Sequence, residues 1–178
     1  PKTGSLSERR QLYAAAKFGQ VWSARQLRLT TDLIRDAIPG AHTETLPSSH
    51  GFLDAWGPPH IGMSYRMLDL FELGATEAVD VLSSEDWLGL NHMYGGNYTW
   101  TGAQTLEWQT AIMRSGIGAR PVKLLALITP SDDGYLRLKA YSSLAQGVKA
   151  FFFWTFGPTY IGTENYWSDL KSEYAGII

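Results

Sequence analysis

The sequence predicts an α/β fold, a segment of a (β/α)-barrel with about four helix–strand repeats. Four stretches of strand length each follow a stretch with helical periodicity. One of them, residues 122–128, is apolar except for a single lysine, which is typical of a parallel strand covered on both faces. The chain has 178 residues, whereas a complete eight-stranded barrel usually needs roughly 250. The sequence therefore predicts half of a TIM barrel.

The first repeat begins with one long helix, or two shorter ones, over residues 7–36, which Pro39-Gly40 ends. Its apolar residues recur at steps of three and four: Val21, Trp22, Leu29, Leu33 and Ile34. A short strand follows over residues 41–46. A loop rich in glycine and proline then runs to residue 61.

The other three repeats follow the same order. The second has a helix over 63–73 and a strand over 79–83, and the third has a helix over 103–114 before the strand at 122–128. The fourth has a helix over 135–146 and a strand over 150–154. Residues 1–178 form either a single α/β domain with an open four-stranded sheet or the carboxy-terminal half of a (β/α)8 catalytic domain. The long loops and the weakly apolar first strand favour the half-barrel.

Composition narrows the class of partner. A formal net charge of -2 argues against sequence-independent binding of nucleic acid, which needs clustered lysine and arginine. The absence of cysteine excludes disulfides and thiolate metal sites, but it leaves a cytoplasmic and an exported location equally open. The chain has no apolar run of about 18 residues and no leader pattern at its start, so it is expected to be soluble and to have no membrane partner.

Aromatic residues make up 13% of the chain, and several stand beside glycine and asparagine, as in residues 92–100 (HMYGGNYTW). Core filling is the ordinary role of such rings. Aromatic faces also stack on the C–H faces of pyranose rings while polar neighbours bind hydroxyls. This clustering favours a carbohydrate ligand.

Residues that follow the strands are the candidate site, because ligands bind beyond the carboxyl ends of parallel strands. They include His50, Glu85, Trp87 and Asp133. Paired carboxylates divide acid, base and nucleophile work in glycoside hydrolysis, and Glu85 is the best such acid. The alternative is that Glu85 and its neighbour cap a helix or turn, and that Asp133 caps the helix after it.

The sequence contains no motif that indicates a metal, nucleotide or serine hydrolase site. The four histidines lack the spacing of metal ligands, and no phosphate-binding glycine fingerprint or serine hydrolase elbow is present. We therefore expect no metal and no cofactor.

Four segments resemble the catalytic barrel of the bacterial β-galactosidases of glycoside hydrolase family forty-two. Residues 26–45 are similar to the helix leading into strand five, and residues 79–87 (VDVLSSEDW) to strand six. Residues 143–154 are similar to the last helix and strand eight, and residues 162–167 (GTENYW) to the loop after it. The resemblance implies that Glu164 hydrogen-bonds a sugar hydroxyl and that Trp154 lines the subsite floor. Trp167 stands where the family usually has a histidine.

The chain departs from that family at strand seven. The family's glutamate nucleophile should follow this strand, but here residues 127–130 (LITP) contain no carboxylate. Three alternatives follow. Asp132 or Asp133 is the nucleophile and reaches into the site from the loop, Glu85 is the nucleophile, or the barrel binds sugar without hydrolysing it. The resemblance places the general acid in an amino-terminal half-barrel segment, which is one expected partner. The other expected partner is a second copy of the chain, in a homo-oligomer. A further alternative is a structural subunit whose open sheet edge is completed by a second chain.

Overall fold

The computed structural model describes residues 4–47, 68–86, 99–129 and 135–153. Its helices are α1 (Leu6–Ala37), α2 (Leu70–Ala75), α3 (Thr99–Ile117) and α4 (Tyr135–Ala145). Its strands are β1 (Glu44–Thr45), β2 (Val81–Glu85), β3 (Lys123–Ile128) and β4 (Ala150–Phe153). The predicted alternation of four helices and four strands is confirmed.

The four strands form one parallel sheet in the order β1-β2-β3-β4. Because parallel crossovers are right-handed, an order without a reversal places every crossover helix on the same face. Accordingly α3 packs on β2 and β3, and α4 packs on β3. The other face carries no helix in the part of the chain that the structure describes. This arrangement is compatible with a segment of a (β/α)-barrel.

Several predicted boundaries were wrong. The first strand is two residues long instead of six, because only Glu44 and Thr45 pair with β2. The helix predicted from residue 63 begins at Leu70, where the Asp69 carboxylate caps the backbone N–H groups of residues 71 and 72. The second strand is shifted by two residues, so that Glu85 is its last residue and not the second residue after it.

Helix α1 is confirmed, and a capping box between Ser5 and Glu8 fixes its start. Leu27 packs against the core, but most of the apolar residues that show the helical periodicity do not lie on the covered face. Trp22, Leu29 and Leu33 are each more than half exposed. The residues that α1 buries are small ones, namely Gly19, Ala24 and Thr31. Periodicity predicted the helix but not which of its faces meets the protein.

The core lies between the sheet and the helices, and it depends on a close crossing of α2 and α3. A Cβ atom on Gly116 would lie 2.1 Å from the carbonyl oxygen of Phe71, and one on Gly74 would lie 2.7 Å from the backbone nitrogen of Ile117. The two backbones can therefore touch only because both positions are glycine. Around this crossing pack buried apolar residues that include Leu70, Leu73, Leu82, Leu106, Met113, Leu124 and Ile128.

A polar network joins the beginning of the sheet to α1. The Asp80 carboxylate accepts hydrogen bonds from the backbone N–H of Thr43 at 2.8 Å, from the Thr43 hydroxyl at 3.0 Å, and from the Arg35 guanidinium. Burial raises the pKa of Asp80, but the hydrogen bonds from Thr43 and Arg35 outweigh it and hold that pKa below its ordinary value.

Replacement of Asp80 with asparagine tests this network through its pH dependence. Since the pKa is lower in the folded than in the unfolded chain, the carboxylate stabilises the fold fully above about pH 5 and loses this effect as the pH falls below about 4. We expect Asp80→Asn to lower the free energy of unfolding by about 1–2 kcal/mol at pH 7 and by less at pH 3, as measured by urea denaturation. The control is Asp36→Asn, at an exposed position of α1. If Asp80→Asn lowers the free energy of unfolding by the same amount at pH 7 and at pH 3, the proposed role of the Asp80 carboxylate is wrong.

Within the described residues, no helix has both the length and the apolar character needed to cross a membrane.

Candidate functional site

The last row of side chains that spans β2, β3 and β4 consists of Glu85, Leu127 and Phe152, which are register partners. Residues paired in this way point to the same face. The neighbouring Ser84 points to the helices, where its oxygen accepts a hydrogen bond from the Thr110 hydroxyl at 3.1 Å. Because side chains alternate along a strand, the row of Glu85 faces the side without helices.

This terminal row joins a carboxylate, an aliphatic side chain and an aromatic ring. Glu85 and Leu127 are half-buried, and 48% of Phe152 is exposed. Adjacent strands lie roughly 4.8 Å apart, so the backbones at Glu85 and Phe152 are separated by roughly 10 Å. A ligand between them would meet a charged acceptor on one side and the face or edge of a ring on the other.

Next to Glu85 the chain turns Asp86 to the opposite face, into a buried ion pair. The Lys139 ammonium group of α4 lies 2.6 Å from the Asp86 carboxylate, and the two side chains are 0% and 1% exposed. The same carboxylate accepts the backbone N–H of Thr129 at 3.1 Å, and Lys139 donates to the Thr129 carbonyl at 2.9 Å. This cluster of Asp86, Thr129 and Lys139 fixes the ends of β2 and β3 to each other and to α4.

The structure therefore separates the two adjacent acids that the sequence singled out. Glu85 ends β2 on the open face, as the candidate acid should, and Asp86 has a structural role. The alternative, that the pair caps a helix or turn after residue 86, involves residues outside the described part of the chain.

Among the described residues, Glu44 is a second carboxylate on the open face. It is exposed and accepts a hydrogen bond from the Ser83 hydroxyl, which settles that it faces this side. Its register partner on β2 is Val81, four residues before Glu85. Four residues of strand span roughly 13 Å of backbone, but the Glu44 carboxylate reaches Ser83, which is two residues and roughly 7 Å of strand from Glu85. The strand spacing therefore does not separate the two carboxylates beyond the about 5 to 9.5 Å of a catalytic pair.

Sequence reasoning missed Lys139 and Phe152. Lys139 lies on the buried stripe of α4 together with Leu136, Ala140 and Ser143, at helical spacing. A lysine among the buried positions of a helix indicates that a buried acid pairs with it, and this signal was present in the sequence. Phe152 was interpreted only as part of an apolar strand, and the register of the sheet was needed to place it beside Glu85.

The remaining predicted site residues lie outside the described residues: His50, Trp87, Asp133, Trp154, Glu164 and Trp167. The position at the end of β3, where the family has its nucleophile, is described. Thr129 there is fully buried, and its hydroxyl donates to the Asp86 carbonyl at 3.1 Å. Its side chain is therefore not accessible to a ligand at the surface of the sheet.

Among the described residues, no three histidine, aspartate or glutamate side chains come close enough together to hold a metal ion. Comparison with known proteins finds no family model, no curated protein and no solved structure that matches this chain.

Proposed function

We propose that this chain is the carboxy-terminal half of a (β/α)-barrel glycoside hydrolase that binds a carbohydrate at the carboxyl ends of its strands. The observation that carries the proposal is the terminal row of Glu85, Leu127 and Phe152 on the helix-free face of the sheet. The strand order without a reversal supports the barrel, since doubly wound sheets reverse direction and place helices on both faces.

In this proposal two members of the row, Phe152 and Glu85, have separate tasks. Phe152 stacks on the apolar face of a sugar ring, and Glu85 acts at the glycosidic bond as acid, base or nucleophile. Asp133 supplies a second carboxylate. The proposed sugar-binding residues are His50, Trp87, Trp154, Glu164 and Trp167. An amino-terminal half-barrel segment, or a second copy of the chain, completes the ring of strands.

A non-catalytic carbohydrate-binding barrel is the second candidate, and one observation favours it. The last described residue after β3 is a buried threonine bonded to the Asp86 backbone, so β3 presents no carboxylate through Thr129. A hydroxyl cannot replace an ionised carboxylate in stabilising an oxocarbenium-like centre. The candidate predicts sugar binding without the release of reducing ends.

One pair of substitutions tests both candidates. We expect Phe152→Ala to weaken binding of a β-linked oligosaccharide by about tenfold, because stacking contributes about 1 kcal/mol beyond the area it buries. We expect Glu85→Gln to lower the rate of hydrolysis by about 10²-fold or more and to leave binding within a few-fold of the original. Calorimetry measures the binding, and an assay of reducing ends measures the hydrolysis.

Matched controls come from the helix side of the molecule. Phe71 on α2 is 46% exposed, close to the 48% of Phe152, and Glu107 on α3 is half-buried like Glu85. Phe71→Ala and Glu107→Gln should change neither quantity. If Glu85→Gln hydrolyses the substrate at the original rate, Glu85 does not take part in the reaction. If Phe152→Ala binds the sugar with the original affinity, the terminal row is not the binding site.

A further inference from the structure

Helix α1 presents a stripe of large apolar side chains away from the rest of the protein. The exposed fractions are 68% for Phe18, 52% for Trp22, 55% for Leu29 and 69% for Leu33. Steps of four, seven and four residues place all four within about 60° of one another around the helix. The rings of Phe18 and Trp22 stack, with centroids 6.0 Å apart. Soluble proteins seldom leave such a continuous apolar surface uncovered.

The covered side of α1 lies elsewhere on its circumference. Ala24 and Thr31 are both 1% exposed, and the Thr31 hydroxyl donates to the carbonyl of Ala78 at 2.7 Å. Residues 5–16 are exposed on every side, so the first turns of α1 have no covering in the described part of the chain. Because a helix in water depends mainly on packing for its stability, this length of helix needs a partner.

The stripe has a symmetry that identifies the partner. The steps of four, seven and four residues read the same in both directions, with the midpoint between Arg25 and Gln26. If two copies of α1 lie antiparallel across a twofold axis at this midpoint, Phe18 of each meets Leu33 of the other and Trp22 meets Leu29. A twofold interface requires a surface that is complementary to itself, and this spacing provides one.

We propose that two copies of this chain associate through α1, packed antiparallel about an axis between residues 25 and 26. The stripe side chains each expose on the order of 100 Å², so the pair removes roughly 800 Å² from these residues alone. The two helices overlap over residues 14–37, about 36 Å, and flanking residues along this overlap bring the buried surface to the roughly 1,200–2,000 Å² of a stable interface. The association does not depend on the proposed catalysis.

The residues beside the axis predict an unusual response to mutation. In the antiparallel pair the same flank of each helix meets, so Arg25 approaches its symmetry mate on one side and Gln26 does so on the other. Arg25 has no ion pair within the described residues, and the two like charges repel. The two amides of Gln26 can hydrogen-bond to each other. Arg25→Gln should therefore tighten the dimer, an effect expected only if two copies meet at this point.

Sedimentation equilibrium of the full chain over a range of concentrations measures the association. We expect Trp22→Ala to raise the dimer dissociation constant by about tenfold or more and Arg25→Gln to lower it. Tyr13→Ala is the matched control, because Tyr13 is 73% exposed on the side of α1 opposite Trp22, and it should leave the constant unchanged. A chain that stays monomeric at about 100 µM overturns the proposal, as does an equal response to Tyr13→Ala.

Disulfide cross-linking tests the antiparallel orientation. Since the chain contains no cysteine of its own, only the introduced cysteines can form disulfides. A mixture of Phe18→Cys and Leu33→Cys chains should form a disulfide between the two variants on mild oxidation, whereas either variant alone should not cross-link. A disulfide between two Phe18→Cys chains would show parallel packing. The absence of any cross-link in the mixture would show that another surface is used. Either result overturns the proposed geometry.

Discussion

Lys139→Met is expected to lower the free energy of unfolding by about 3–5 kcal/mol, the loss found when one member of a buried ion pair is removed. Methionine fills most of the space of the lysine stem but leaves the Asp86 carboxylate buried without its ammonium partner, while the backbone N–H of Thr129 still donates to it. The Thr129 carbonyl also loses the hydrogen bond from Lys139. Urea denaturation followed by far-ultraviolet circular dichroism measures the change.

Two further variants test whether the loss of stability comes from the unpaired buried charge or from the substitution of a lysine as such. Lys149→Met, at an exposed lysine just before β4, should change the stability by less than about 0.5 kcal/mol. Adding Asp86→Asn to Lys139→Met should recover part of the loss, because the amide oxygen still accepts from Thr129 and no charge remains buried. A double variant less stable than Lys139→Met alone would mean that the ion pair is not the cause.

Gly116→Ala is expected to lower the free energy of unfolding by about 2–3 kcal/mol, although alanine is the better helix former by about 1 kcal/mol. The added Cβ would lie 2.1 Å from the Phe71 carbonyl oxygen, so α2 and α3 must move apart and the apolar residues around them lose contact. Because the position has no positive φ, the effect measures the closeness of the two helices and not backbone strain.

Ser115→Ala is the control for Gly116→Ala, since Ser115 is the preceding residue of α3 and lies exposed on its surface. It should change the stability by no more than about 0.5 kcal/mol. If Gly116→Ala stabilises the protein as an ordinary glycine-to-alanine change in a helix does, the close crossing of α2 and α3 is wrong.

The elements that could be predicted from sequence are those whose environment is uniform along their length. Residues 122–128 are apolar because four of the six side chains of β3 are buried, so its position was predicted to within one residue. Within the described residues β1 has a partner on one edge only, and just two of its residues pair, so its length could not be predicted. The buried residues of α1 are glycine, alanine and threonine, joined by a partly buried Leu27, so the covered side leaves a weaker apolar signal than the exposed side.

The candidate site was predictable in part for the same kind of reason. Glu85 was predicted as the candidate acid because it lies at the end of a strand, and the parallel pairing of β2 with β3 places it at the carboxyl end of β2; its chemical role stays a prediction. The role of Asp86 depends on Lys139, which lies 53 residues later in the chain. The neighbourhood of Phe152 depends on a strand register that local patterns do not encode.

The order of the strands has a consequence for biosynthesis. Each strand of this sheet pairs with the one made just before it, so the edge on which a new strand docks exists before that strand leaves the ribosome. In a doubly wound sheet one strand instead pairs with a strand made much earlier, because the strand order reverses. Here β1 offers β2 only two paired residues, whereas β2 offers β3 five, so β2 is the better template.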